Sequence, residues 1–242
     1  MKVLILGAGQ GSRLLPHTED IPKALLDIGG KRLIARQIEA FASCGIREFV
    51  VVTGYGAAKM DAALAEIAHA LKVSIRTVYN PFYSVADNLA SCWMARAEMQ
   101  GDFIQVNGDN VFARDLVERL LAAPEAPVTV AVNYKDRYDA DDMKVTMQGN
   151  RVLAVGKTLP LDQVKAEAIG FYIFRGEGPA RYRAVLEEAM LEPAALKQWF
   201  PSAITTLAQR EPVEVVSVTG VQWCEVDFPA DLEQARELVA TW

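Results

Sequence analysis

Histidine and cysteine are scarce in this chain. Its two histidines, His17 and His69, form no metal-spaced pair, so a histidine-ligated zinc site is not expected. The three cysteines, Cys44, Cys92 and Cys224, are scattered and form no C-x-x-C pair. That pattern fits free thiols that act as small hydrophobes in a reducing cytoplasm. Basic residues do not dominate: Lys and Arg number 25 against 31 Asp and Glu, a net charge of −6. With no basic stripe, nucleic acid is not expected as the main partner, although a single nucleotide needs only a local cluster of cations. No apolar run approaches the ~18 residues of a membrane span. The first such run, Val3–Leu6, is followed at once by glycines and does not read as a signal peptide. No repeat, low-complexity tract or linker breaks the chain.

What the chain does have is an apolar half, 51% of its 242 residues, ample for a real core. Val3–Leu6 reads as a buried strand and runs into Gly7-Ala8-Gly9-Gln10-Gly11-Ser12-Arg13, with Lys23 ten residues further on. Glycines at a strand-to-helix turn let backbone N–H groups approach an anion closely. Arg13 adds a planar fork suited to phosphate and Lys23 a mobile point charge. Two better-known glycine motifs are excluded. The dinucleotide fingerprint needs a third glycine where Ser12 stands, and the second strand ends in Thr53-Gly54 rather than an acid. Gly156-Lys157-Thr158 resembles the end of a Walker A motif, but its first glycine is replaced by Arg151.

Further along, Leu33–Cys44 has the spacing of one buried helical face, Glu48–Thr53 reads as a strand, Ala57–Leu71 as a helix and Val73–Tyr79 as a third strand. The β-α-β-α-β order implies a parallel sheet with helices on both faces. Asn80–Ser91 is polar and follows a strand, where ligands collect at the carboxyl edge of such sheets. Asp87 or Asn88 could instead cap the helix that follows. Phe103–Val106 is a fourth strand ending in Asn107-Gly108-Asp109, and Asp109 is well placed for a divalent metal or, alternatively, for capping the helix Arg114–Ala122, a task Asp115 could also perform. Val128–Asn133 is a strand, Met143–Val155 a hairpin about Gly149-Asn150, and Glu167–Phe174 a strand holding Gly170. Helices are predicted over Pro179–Met190, Leu196–Gln209 and Phe228–Val239, and strands over Val213–Val218 and Gln222–Asp227. The expectation is one domain, 1–242, with a lid-like insertion at about 134–175.

Gly7–Arg13 followed by Pro22-Lys23 is similar to the G-x-G-x-R…P-K signature of nucleotidyltransferases that make activated sugars and related compounds. Gly108-Asp109 resembles their metal-binding aspartate, and Glu225-Val-Asp227, Pro229 and Asp231-Leu232 resemble their closing E-[IV]-D-x-P-x-D-L stretch. Within that superfamily the chain is most similar to bacterial phosphocholine and phosphonate cytidylyltransferases. Asn80-Pro-Phe-Tyr83…Asp87-Asn88-Leu-Ala-Ser91 resembles their N-x-x-Y…[ND]-N-x-x-S segment, and Lys157 with Glu167-Ala-Ile-Gly170 their G-K…E-x-I-G block. Asp87 departs from the Asn or Thr of several relatives, which leaves the acceptor open.

The resemblance implies a Rossmann-like, three-layer α/β fold of GT-A type, with a mostly parallel central sheet and a small β-rich lid. It implies transfer of CMP from CTP, or a nucleotidyl group from another NTP, to a small phosphate or phosphonate acceptor, with release of pyrophosphate and with Mg²⁺ as cofactor. Arg13 and Lys23 would be catalytic, and Asp109 and Asp227 the metal ligands. Leu6, Gly7, Ala8, Gly9, Gly11, Ser12, Asn80, Asn88, Ser91 and Gly108 would bind the nucleotide. Tyr83, Lys144, Lys157, Glu167 and Trp223 are candidates for the acceptor. A choline-like acceptor would call for aromatic or carboxylate partners, drawn from Tyr83, Tyr134, Tyr138, Phe171, Tyr172, Trp223, Asp139, Asp141 and Asp142. No side-chain base is required, because a phosphate's second pKa is about 6. Two other readings stay open: a sugar-1-phosphate enzyme using UTP or dTTP, and a non-catalytic nucleotide-binding regulatory domain. A cytoplasmic location is expected, with neither nucleic acid nor membrane as partner, and a homodimer is left open.

Overall fold

The structure, a computed structural model, describes all residues from 1 to 242. In chain order its first half comprises β1 (Lys2–Leu6), β2 (Asp27–Ile28), β3 (Lys31–Arg32), α1 (Leu33–Ser43), β4 (Glu48–Thr53), α2 (Ala57–Leu71), β5 (Ser74–Tyr79), α3 (Asn88–Met94), β6 (Phe103–Asn107), β7 (Asn110–Phe112) and α4 (Arg114–Leu121). The second half comprises β8 (Val128–Asn133), β9 (Lys144–Gln148), β10 (Arg151–Gly156), β11 (Val164–Phe174), α5 (Gly178–Ala189), α6 (Pro201–Arg210), β12 (Glu214–Ser217), β13 (Trp223–Glu225) and α7 (Pro229–Val239). The chain divides into two compact units. The first holds Met1–Ser84, Val106–Leu121 and Val221–Trp242; the second holds Val85–Gln105 and Ala122–Gly220.

In the first unit, β1 and β5 flank β4, and both pairings are parallel. Five of the six β4 residues are buried, which fits a strand covered by helices on both faces. The helices supply apolar stripes: Leu33, Ile34, Ile38 and Phe41 from α1, and Met60, Ala63, Leu64 and Ile67 from α2. A second patch of core gathers the chain's two ends. Leu14, Leu26, Ile28 and Leu33 pack there with Val111, Cys224, Val226, Leu232, Ala235 and Val239. Each fully buried aliphatic side chain contributes roughly 1.5–3 kcal/mol, so this patch anchors the first thirty residues and α7 to one another. Two short ladders complete the unit, β2 with β3 and β7 with β13, both antiparallel.

The second unit differs in strand direction. β11 and β8 pair antiparallel, β8 and β12 parallel, and β10 pairs antiparallel with both β12 and β9. The parallel order implied by β-α-β-α-β thus belongs to the first unit, and the second is mostly antiparallel. Residues 134–175 form β9, β10 and β11, and β11 is hydrogen-bonded to β8, so the segment is part of the second unit's sheet. Gly170 lies in a bulge, where the β11–β8 register shifts between Ala168 and Tyr172. Phe103, Phe174 and Tyr182 stack in succession, with centroids 4.6 and 4.5 Å apart, and Tyr172 meets Phe200 edge-on at 5.0 Å.

The helix predicted over Leu196–Gln209 is broken. A 3₁₀ turn covers Pro193–Lys197 and α6 starts afresh at Pro201, since proline has no N–H for a helix interior but suits a first turn. No helix is long and apolar enough to cross a membrane.

Candidate active site

The glycine loop leaves β1 at Leu6 and is tied down at once: Gly7 N–H donates to Val52 O at 3.0 Å, and Ala8 O accepts from Tyr55 N–H at 2.9 Å. Gly9 faces open space, since a Cβ there would meet no atom within 4 Å. Gly11 is constrained on both counts. Its φ is +75°, and a Cβ would stand 2.9 Å from Cβ of Lys23. Ser12 and Arg13 form a short 3₁₀ turn with Leu14, which buries its side chain and leaves Arg13 outward.

Lys23 opens its own 3₁₀ turn after Pro22. Its ammonium donates to Asp109 Oδ2 at 2.8 Å and to Asp227 Oδ1 at 2.6 Å. Arg13 Nη2 reaches Asp227 Oδ2 at 2.8 Å, and its guanidinium lies 4.7 Å from the centre of the Phe228 ring. Burial works to lower the Lys23 pKa, but Asp109 and Asp227 outweigh it, so the ammonium is held above its ordinary value.

The two carboxylates are brought together by backbone. Gly108 N–H donates to Leu6 O at 3.1 Å, and a Cβ on Gly108 would lie 2.5 Å from that oxygen, so only glycine allows the approach. β7 starts directly after Asp109 and pairs with β13, which ends two residues before Asp227. Val226 N–H closes the junction on Asp109 O at 3.1 Å. Asp109 Oδ1 is buried and has no hydrogen-bond partner. Asp115, the second residue of α4, accepts from Leu116 N–H at 2.9 Å.

Asn80 is buried and serves the backbone: its N–H donates to Thr53 O at 2.8 Å and its Oδ1 accepts from Phe82 N–H at 2.9 Å. That turn seats Tyr83 against Gly54 and edge-on to Tyr55 at 6.4 Å. Asn88 and Ser91 belong to the second unit. Asn88 Oδ1 accepts from Phe200 N–H at 2.9 Å, and Ser91 is buried. Asp87 stands at the N-cap of α3 without a side-chain capping bond.

The acceptor candidates divide. Lys144, Lys157 and Glu167 come together in the second unit. Lys144 is only 2% exposed, and its ammonium donates to Lys157 O at 2.8 Å. The Lys157 ammonium lies 4.9 Å over the Trp199 ring and 3.5 Å from Asp141. Glu167 forms an ion pair with Lys135, which also reaches Asp142 at 2.8 Å. Burial pushes the Glu167 carboxyl up despite Lys135. For Asp142 burial is outweighed by the bonds from Lys135 and the Asp139 N–H, which hold it down. Trp223 belongs to the first unit, where it lines a cleft of about 370 Å³ with Gln222, Gln234 and Leu238. Lys135, Trp199 and Asp231 were not singled out as site residues from sequence. The first two have no local signal, because their partners are 32 and 42 positions away, at Glu167 and Lys157.

A glycine loop at the end of the first strand of a parallel β-α-β sheet stands beside a lysine shared by two carboxylates. The family model of the MobA-like NTP transferase domain matches residues 3–210, and the chain belongs to that family. Among curated relatives, the bifunctional IPC transferase and DIPP synthase of Aquifex aeolicus is 28% identical over 97% of this chain and 50% of its own length. The CTP:phosphoglutamine cytidylyltransferase of Campylobacter jejuni is 28% identical over 96% of this chain and 98% of its own. The chain thus spans half of the first relative and nearly all of the second. Among solved structures, the inositol-1-phosphate CTP transferase from T. maritima superposes with a TM-score of 0.82 at 21% identity, covering 99% of this chain and 94% of that one. The Rossmann-like α/β fold and the cytidylyltransferase-like family read from the motifs both hold.

Proposed function

We propose that this protein transfers CMP from CTP to a small phosphate or phosphonate acceptor and releases pyrophosphate, in a reaction that depends on Mg²⁺. The observation that carries the reading is the Lys23 ammonium held at 2.8 and 2.6 Å by Asp109 and Asp227, with Arg13 on the far oxygen of Asp227. Such a cluster balances its own charge and is ready to exchange partners. A triphosphate would draw the cations, and the freed carboxylates would hold a divalent ion.

The donor set fits Mg²⁺, which takes one or two carboxylates and completes its shell with phosphate oxygens and water. The unsatisfied Oδ1 of Asp109 is one such ligand in waiting. Bound there, the ion would neutralise charge on the phosphates. The chain's own part is binding and orientation. Amides of the Gly9–Gly11 turn and the Arg13 fork would grip the β- and γ-phosphates, and Lys23 would meet the α-phosphate as charge builds on it. The acceptor oxygen attacks as an anion, so no residue need remove a proton. Lys157 would bind the acceptor's phosphate or phosphonate, whereas the buried Lys144 spends its ammonium on the carbonyls of Ala140, Asp142 and Lys157.

A pyrophosphate-release assay tests this reading by crossing five NTPs with phosphocholine, 2-aminoethylphosphonate and several sugar-1-phosphates. Turnover is expected only with CTP and an amino- or ammonium-bearing acceptor. Turnover confined to UTP or dTTP with a sugar-1-phosphate would replace this reading with its sugar-nucleotide alternative.

A further inference from the structure

We propose that Asp231 is a positioning residue for Asp227, and through it for the bound cation; the inference rests on the nucleotidyltransferase reading above. Asp227 lies in the turn between β13 and α7. One oxygen of Asp231, Oδ2, accepts from the N–H of Asp227 at 2.9 Å and from the N–H of Phe228 at 2.7 Å. Asp231 is the third residue of α7, where an acid that reaches back to the N-cap N–H is half of a capping box and is favoured by the helix dipole. That duty is met by the bond to Phe228 alone. The bond to Asp227 lies one residue outside the helix, and its effect falls on the backbone that carries the metal-ligand carboxylate.

The turn is held from the other side as well. Val226 N–H donates to Asp109 O at 3.1 Å, and the β7–β13 ladder fixes the strand leading in. Asp227 is therefore clamped before and after its own Cα. Its two oxygens point apart at defined partners, Oδ1 to Lys23 at 2.6 Å and Oδ2 to Arg13 at 2.8 Å. Asp231 itself touches no ligand. Groups that orient a metal ligand in this way alter metal affinity by about 10- to 100-fold when lost.

The test uses the full chain and reads Mn²⁺ affinity in the presence of CTP, from loss of the free-ion EPR signal beyond that caused by CTP alone, beside KM for CTP at saturating metal. Asp231→Ala is expected to weaken Mn²⁺ binding by about tenfold or more while KM for CTP moves by no more than about twofold. Asp231→Asn, whose carbonyl oxygen can accept the same two N–H groups, is expected to restore most of the affinity. Asp231→Glu keeps the charge and the reach to Phe228 but lengthens the arm, so it is expected to bind Mn²⁺ more weakly than the parent.

Mn²⁺ affinity unchanged in Asp231→Ala overturns the proposal, as does a loss of metal and CTP binding in parallel. If Asp231→Ala does not fold, Asp231→Glu decides, and parental affinity there overturns it. If the unmodified protein binds no Mn²⁺ with CTP and releases no pyrophosphate, the nucleotidyltransferase reading fails and takes the proposal with it.

Discussion

Lys23 is the residue on which most of the site converges. It is 13% exposed at its side chain, its ammonium meets two carboxylates, and its Cβ and Cδ crowd the glycine loop at Gly11. An alanine there removes the cation and leaves Asp109 and Asp227 facing each other. In the role proposed for Lys23, its loss lowers kcat; removal of one such electrostatic donor costs about 100- to 1,000-fold. Lys23→Ala is therefore expected to lower kcat by a hundredfold or more, with the fold retained by the buried cluster around Leu14, Val111 and Val226. Steady-state pyrophosphate release and a thermal melt check it together. Near-parental turnover in a folded variant would contradict the catalytic role. The opposite sign of Lys23 and its carboxylates was legible in sequence because each residue stood in its own short motif. Their mutual contact was not, since it joins positions separated by 86 and 204 residues.

At the scale of elements, long periodic stretches were the legible ones. α2 runs from Ala57 to Leu71 and β4 from Glu48 to Thr53, as their spacing predicts. Of the short ladders only β13 was legible, inside the strand predicted over Gln222–Asp227. β7 has three residues and β2 and β3 two each, too few for any period, and they exist because a distant partner strand or a glycine turn supplies them. The same holds for the Asp-rich loop before β9, whose aspartates were candidates for a choline-like acceptor and which is ordered by charge. Asp142 Oδ2 accepts from Asp139 N–H at 2.9 Å while Oδ1 accepts from Lys135 at 2.8 Å. A carboxyl held below its ordinary value of 3.8 stabilises the fold at pH above that value. The contribution is lost as pH falls through the lower folded-state pKa. Glu167 runs the other way: its raised carboxyl takes up a proton first, and that uptake favours the folded state. The Asp139 amide is thus expected to stay protected from hydrogen exchange on acidification until below pH 3.8. Lys135→Met, which removes the ammonium on both carboxyls, is expected to move that loss of protection to higher pH. Protection that follows the same pH course in both proteins would remove Lys135 from this account.

For the whole molecule, the informative fact is how the candidate residues divide between the two units. Gly7–Arg13, Lys23, Asp109, Asp227 and Tyr83 all belong to the first, and Lys135, Lys144, Lys157, Glu167 and Trp199 to the second. The chain passes from one unit to the other after Ser84, Gln105, Leu121 and Gly220, so neither is a continuous piece of sequence that could be cut out and assayed. The division must be probed in the intact protein, and hydrogen exchange resolved by peptide can do so, because bound ligands slow local opening where they make contacts. With Mg²⁺ and CTP alone, slowed exchange is expected in peptides spanning Gly7–Lys23, Asn107–Phe112 and Glu225–Asp231 of the first unit. With phosphocholine or 2-aminoethylphosphonate alone, it is expected in peptides spanning Lys135–Glu167 of the second. The reasoning is electrostatic. The first set carries the phosphate-gripping loop and the two carboxylates, while the second carries lysines already engaged with exchangeable partners, Lys157 with Asp141 and Trp199, and Lys135 with Asp142 and Glu167. An acceptor that slows exchange only in the first-unit peptides would remove Lys157 and Glu167 from acceptor binding and leave the nucleotide half of the assignment intact.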